Sequence, residues 1–242
     1  MKPAEGREKE VSGFERRFWH MIVAKQKPIE EIIEEVKDSK KLLILGCNEC
    51  VTVCEAGGKK EVAVLASALR MYFMNQGQEI KIDEHTLERQ CDHEYLEEIR
   101  GNIDQYDAVL SLACGVGVQF MAEKYFNMPI LPGVDTCFMG ATEERGVWSE
   151  RCQGCGKCVL AKTGGICPVS RCAKRLFNGP CGGSTKGHCE IHKDIVCGWQ
   201  LIIDRLSELG KLDDYEILAP IKDWSTERAG GPRKVVREDV QA

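Results

Sequence analysis

A chain of 242 residues with 43% hydrophobic and 29% charged content has enough apolar side chains to bury a core, which excludes disorder as its overall state. A net charge of -5 supplies no basic field for nucleic acid, and no apolar run approaches the roughly 20 residues of a membrane span. The first ten residues are too charged for a signal peptide, so a cytoplasmic address is expected, and fourteen cysteines in that reducing compartment point to metal or redox chemistry in preference to disulfides.

Residues 1–40 read as an N-terminal arm and helix. The arm is polar but carries Phe14, Phe18 and Trp19, an expected docking surface, and Pro28 suits the first turn of a helix whose Ile29, Ile32, Ile33 and Val36 share one face. Residues 41–148 alternate strands and helices. Leu42-Leu43-Ile44-Leu45-Gly46 is a continuous apolar run, the pattern of a parallel strand covered on both faces. Val62, Leu65, Leu69 and Phe73 form a helical stripe ending at Gly77, Glu79–Asp83 reads as a second strand, and Asp92 is placed to cap a short helix through Arg100. Ala108–Ala113 predicts a third strand, followed by a helix to Asn127, and Pro129–Val134 a fourth strand. This order implies an α/β fold with a doubly wound, mostly parallel sheet. Residues 149–198 hold eight cysteines and many glycines but few large apolar side chains, so a small Cys-rich, metal-stabilised segment is expected there. Residues 199–242 read as a C-terminal helix and tail, the helix with Trp199, Ile202, Ile203, Leu206 and Leu209 on its inner face.

Two cysteine constellations carry the chemistry. The first, Gly46-Cys47-Asn48-Glu49-Cys50 through Cys54-Glu55-Ala56-Gly57-Gly58, lies between a strand and a helix. Its C-x2-C-x3-C spacing can turn three thiolates toward one point, which suits three corners of a [4Fe–4S] cube. Loops of this kind gather at the carboxyl ends of parallel strands, where the third strand ends in Cys114-Gly115-Val116-Gly117. Cys114 is therefore the expected fourth ligand, with Cys91 as the alternative. Cys137, between Thr136 and Phe138, reads as a small buried hydrophobe. The Gly115-Val116-Gly117 stretch is only half of a dinucleotide fingerprint, with no third glycine.

The second constellation is Cys152, Cys155 and Cys158, a C-x2-C-x2-C run with Cys167-Pro168 after it. Three evenly spaced cysteines favour iron–sulfur, since structural zinc sites pair C-x2-C elements at a distance. With Cys167, Cys172, Cys181, Cys189 and Cys197 the total is eight, enough for two four-cysteine sites. One partition completes the triplet with Cys197 and groups Cys167, Cys172, Cys181 and Cys189, but spacing leaves the partition open. Zinc is an alternative at one of these sites, with His188 and His192 near enough in sequence to contribute. No Ser–His–Asp order, nucleophile elbow or phosphate loop is present.

Gly46-Cys47 through Gly58, Glu88-Arg89-Gln90-Cys91-Asp92, Leu112–Gly117 and Arg151-Cys152 through Gly183 together resemble the MetV-type small subunit of methylenetetrahydrofolate reductase, the methylene-tetrahydrofolate reductase C-terminal domain family. The resemblance extends over about Leu42 to Arg237. It implies two or three [4Fe–4S] clusters on the cysteines named above and a flavin-containing MetF-type partner subunit. It also implies an electron donor such as ferredoxin or a further redox subunit, in the methyl branch of one-carbon metabolism. The expected role is electron relay without catalysis of its own. Two rivals are a zinc-stabilised scaffold of the same complex, which predicts zinc and no reducible chromophore, and an autonomous cluster enzyme, which predicts turnover without a partner.

Overall fold

The computed structural model describes residues 22–216, 220–228, 232–237 and Asp239. The aromatic arm residues Phe14, Phe18 and Trp19 lie outside the described residues.

At the centre stands β2 (Lys41–Cys47), flanked in parallel by β3 (Lys81–Leu87) and β4 (Ala108–Ser111), with β5 (Ile130–Pro132) beyond β4. The alternation of the pleat divides the apolar run between two cores. Leu42 and Ile44 join Val62, Leu65, Leu69 and Phe73 of α3 (Lys59–Asn75), together with Ile32 and Val36 of α1 (Ile29–Val36). Leu43 and Leu45 face the other way, onto Leu96 of α4 (His93–Leu96), Ile99, Ile103 and Met121 of α5 (Gly115–Lys124). A strand buried on both faces has no polar side to show, and its sequence shows none. Asp92 caps α4 as expected, accepting the Glu94 N–H at 3.2 Å.

The second strand is longer and later than Glu79–Asp83. Its seven residues pair one for one with β2, from Lys41 opposite Lys81 to Cys47 opposite Leu87. As an edge strand it tolerates Asp83, Glu84 and His85, whose polarity hides it in the sequence.

A second, antiparallel sheet of β1 (Ile22–Gln26), β6 (Val134–Glu144) and β7 (Val147–Cys152), in that order, packs on the first core through Val23, Ala24 and Val134. Sequence reading assigns β1 to the arm, and the division expected between 148 and 149 falls inside β7. Cys137 is exposed, not buried. It is the extra residue of a bulge, since Val23 pairs with Phe138 and Ala24 with Thr136, leaving Cys137 without a partner and turned outward.

Beyond β7 the chain is mostly turns around the short helix α6 (Pro168–Arg171) and the C-terminal helix α7 (Gly198–Glu208). Trp199, Ile202 and Leu206 are the fully buried residues of this small third core, whereas Leu209 at the helix end is exposed.

One contact between the sheet and the first cysteine loop is unusually close. A Cβ on Gly57 would lie 1.9 Å from the Leu112 carbonyl oxygen, and the Gly57 carbonyl accepts the Cys47 N–H at 3.0 Å. Gly57→Ala should therefore cost about 3 kcal/mol, because both neighbours are backbone. Gly101→Ala, with open space around the added methyl, should stay within about 0.5 kcal/mol. Urea denaturation of the two variants beside the parent measures the contrast.

Candidate metal centre

Sequence places Cys47, Cys91 and Cys114 after three different strands, and one side chain draws these strand ends together. Gln90 is completely buried. Its amide nitrogen donates to the carbonyls of Leu45 and Gly46, both at 2.9 Å, at the carboxyl end of β2. Its amide oxygen accepts the Ser111 hydroxyl of β4 at 2.6 Å. A buried amide that uses both ends in this way fixes the segment after β3 against β2 and β4. Gly117 adds to the closeness: a Cβ there would stand 2.8 Å from Ala113 Cβ and 3.0 Å from Gln90 Cβ. The half-fingerprint glycine thus serves packing between α5 and Gln90.

The result is a group of thiols at the switch point between β2 and β4. Burial pushes the Cys47 thiol up to about 11, with Cys114 and Cys91 adding to the rise. Cys50 is also raised, first by burial and then by Cys114, and Cys91 by burial, then Cys114, then Cys50. The Cys114 sulfur therefore stands within charge reach of Cys47, Cys50 and Cys91, and Cys91 within reach of Cys47 and Cys50. Opposing the burial, the Cys47 sulfur meets the backbone N–H groups of Glu49 and Gln90. Cys54 is turned differently. Its sulfur accepts the Ala24 N–H of β1 at 3.3 Å, and Cys50 adds to its rise on burial. The two candidates for the fourth position, Cys91 and Cys114, both stand in the group, while Cys54 of the original triplet faces β1. Arg89 brings a cation to the rim, over the Tyr95 ring at 5.3 Å and 3.9 Å from Glu49.

The second constellation divides in two. Cys152 closes β7, Cys155 and Cys158 follow in the next loop, and Cys167 caps α6, which packs on β7. Ser170 of α6 donates to the Arg151 carbonyl at 2.8 Å. Residues from beyond α7 grip the carbonyls of the Cys152–Cys158 loop. Lys222, only 5% exposed, donates to Lys157 O at 2.7 Å, Thr226 to Cys155 O at 3.0 Å and Arg233 to Gly154 O at 2.6 Å. Cys172, Cys181, Cys189 and Cys197, in contrast, line a common cavity against Trp199. Cys197 thus joins Cys172, Cys181 and Cys189, and Cys167 does not, the reverse of the partition considered from spacing. His188 and His192 are exposed and line no part of that cavity. His192 Nδ1 instead accepts the Asp194 N–H at 3.3 Å.

Among the described residues, all cysteines are free thiols, and no three Cys, His, Asp or Glu side chains lie close enough to hold one metal ion. Gln90, Ser111, Lys222 and Thr226 escaped the sequence reading as positioning residues. Nothing distinguishes them in one sequence, although Gln90 beside a cysteine is the one signal present.

Replacing Gln90 by Leu should cost about 3 kcal/mol in denaturant unfolding, since it strips partners from two backbone carbonyls and the Ser111 hydroxyl. Ser111→Ala, which leaves both amide donors in place, should cost about 1 kcal/mol. Thiol reactivity offers a second check on metal-free protein. Cys181 is exposed and lowered by the Gly183 N–H and by Lys174, whereas a Cys47 thiol titrating near 11 is about one part thiolate in a thousand at pH 8. Iodoacetamide at pH 8, read by peptide mass spectrometry, should label Cys181 first and Cys47 last.

Residues 131–225 match the family described as Methylene-tetrahydrofolate reductase C terminal. The match is narrower than the resemblance drawn from the motifs. It covers less than half of the chain, holds the eight cysteines from Cys152 to Cys197, and begins after the Cys47–Cys114 group. No curated protein and no solved structure matches the chain. No helix among the described residues is long and apolar enough to cross a membrane. The link to methylenetetrahydrofolate reductase is carried by the Cys-rich half.

Proposed function

We propose that this chain is an iron–sulfur electron-transfer subunit serving a flavin-containing methylenetetrahydrofolate reductase subunit in one-carbon metabolism. The observation that carries the reading is the convergence of Cys47, Cys50, Cys91 and Cys114 at the switch point of the parallel sheet. When bound, a cluster would supply a one-electron carrier. The chain's own residues supply the rest. Cys47 ends β2, Cys50 opens the one-turn helix α2 (Cys50–Val53), Cys91 comes from the segment held by Gln90, and Cys114 from the N-cap of α5. The amino end of α5, beside Cys114, favours negative charge there. The N–H groups of Glu49 and Gln90 that meet the Cys47 sulfur favour the thiolate over the thiol. Arg89 adds a positive charge next to Cys91. The partner is read from the family match, and the donor as ferredoxin or a further redox subunit.

The test is iron, zinc and acid-labile sulfide per chain on protein purified without oxygen, with an electron paramagnetic resonance spectrum after reduction. Iron with matching sulfide and a reducible signal is expected, and Cys114→Ser should lose or alter one component of that signal. The reduced protein should then pass electrons to the flavin of the larger subunit. Zinc alone, with no reducible chromophore, would leave a scaffold and overturn the relay.

A further inference from the structure

We infer that Cys172, Cys181, Cys189 and Cys197 hold a [4Fe–4S]-type cluster of their own, separate from the Cys152, Cys155, Cys158 and Cys167 set. The inference rests on the iron–sulfur reading above and adds which thiols share a centre.

Four segments distant in sequence deliver these thiols to one cavity, each by a traceable contact. Cys172 ends α6 and Cys197 caps α7. The two helices can touch there because residue 198 is glycine: a Cβ on Gly198 would lie 2.7 Å from both the carbonyl carbon and oxygen of Arg171. Cys189 is brought in by a compact turn. Thr185 and His188 exchange backbone hydrogen bonds at 3.0 Å, Cys189 N donates to Ile195 O at 2.8 Å, and Cys197 N donates to Gly187 O at 2.8 Å. Cys181 enters from the Pro180-Cys181-Gly182-Gly183 turn. Gly182 sits at φ +77°, and Gly183 N donates to the Cys181 sulfur at 3.4 Å. An N–H aimed at a sulfur in this way stabilises a bound thiolate and tunes the metal behind it. Trp199 walls the cavity, and its Nε1 donates to Leu176 O at 2.8 Å, tying the wall to the loop between Cys172 and Cys181. Lys174 and Glu190 pair at the rim. Lys174 adds to the lowering of the Cys181 thiol by the Gly183 N–H, while the Glu190 carboxylate accepts from the Cys181 sulfur at 3.7 Å.

The occupant follows from the iron–sulfur reading, and spacing speaks against a zinc knuckle. Eight, seven and seven residues separate the four cysteines, with no C-x2-4-C pair of the sort zinc knuckles use. Each thiol would give up its proton to solvent as the cluster binds.

The test compares Cys181→Ser, Cys197→Ser and Cys167→Ser in the full chain, handled without oxygen. Iron, sulfide and zinc are counted, and the reduced electron paramagnetic resonance spectrum is recorded. Cys181→Ser and Cys197→Ser should each lose about four irons and four sulfides, and the same spectral component, while Cys167→Ser keeps that component. If Cys197→Ser does not fold, Cys181→Ser carries the comparison, since its sulfur lies on an exposed residue. Loss of one shared component in both Cys167→Ser and Cys181→Ser would overturn the partition. Release of zinc from Cys181→Ser with iron unchanged would overturn the choice of metal. Parent protein without iron would sink the relay itself, whereas parent iron that survives Cys181→Ser and Cys197→Ser would sink this inference alone.

Discussion

A buried amide in a parallel sheet must find partners for one acceptor and two donors, and Gln90 finds them on two different strands. Its nitrogen bridges consecutive carbonyls at the end of β2 while its oxygen takes the hydroxyl of Ser111 on β4. The segment after β3 is thereby pinned to the centre of the sheet. Three loops that would otherwise end independently are held within charge reach of one another, with Cys47, Cys91 and Cys114 at their tips. The glycines on either side follow from the same demand for closeness. Gly57 threads past Leu112, and Gly117 lets α5 rest on Gln90. An extra carbon at either point would push a cysteine loop off the sheet.

The Cys-rich half solves a different problem. Its core is little more than Trp199, Ile202 and Leu206, far too few side chains to order the long stretch of turns between β7 and α7. Backbone groups are held instead by side chains from elsewhere. Lys222, Thr226 and Arg233 take the carbonyls of the Cys152–Cys158 loop, and Ser170 takes that of Arg151. A loop whose carbonyls are engaged from outside is free to direct N–H groups inward, as Gly154 does to the Cys152 sulfur at 3.4 Å. The Gly183 contact to Cys181 repeats that arrangement at the other four-cysteine group.

Legibility in the sequence followed burial. Leu42–Leu45 and the stripe of Val62, Leu65, Leu69 and Phe73 were readable because both segments bury what their period says they bury. The edge strand β3 was half hidden by its polar residues, and parallel pairing with β2, a tertiary effect, sets its true length. The antiparallel sheet was missed because β6 buries little besides Val134 and Gly140, and the bulge at Cys137 breaks its alternation. Cysteine spacing identified which residues to watch but not which of them meet. That depends on close approaches such as Gly198 against Arg171, which a single sequence does not mark. Gln90's place beside Cys91 was its one signal, since a buried glutamine and a solvated one are written with the same letter.

The two cysteine-bearing halves are joined by more than chain continuity. Thr136 on β6 accepts the N–H of Gly115, the residue after Cys114, at 2.8 Å, and three residues further along the same strand Met139 pairs with Cys152. At about 3.3 Å per residue, that stretch of strand, bent by the bulge at Cys137, spans at most roughly 10 Å. β6 is therefore a ruler with a cysteine group attached at each mark, and its length is fixed by backbone geometry. On the relay proposed above, electrons would cross between the two marks with no swinging domain. Deleting the bulge residue Cys137 would straighten the strand between the two marks, so the gap and the aim of the second group would change together.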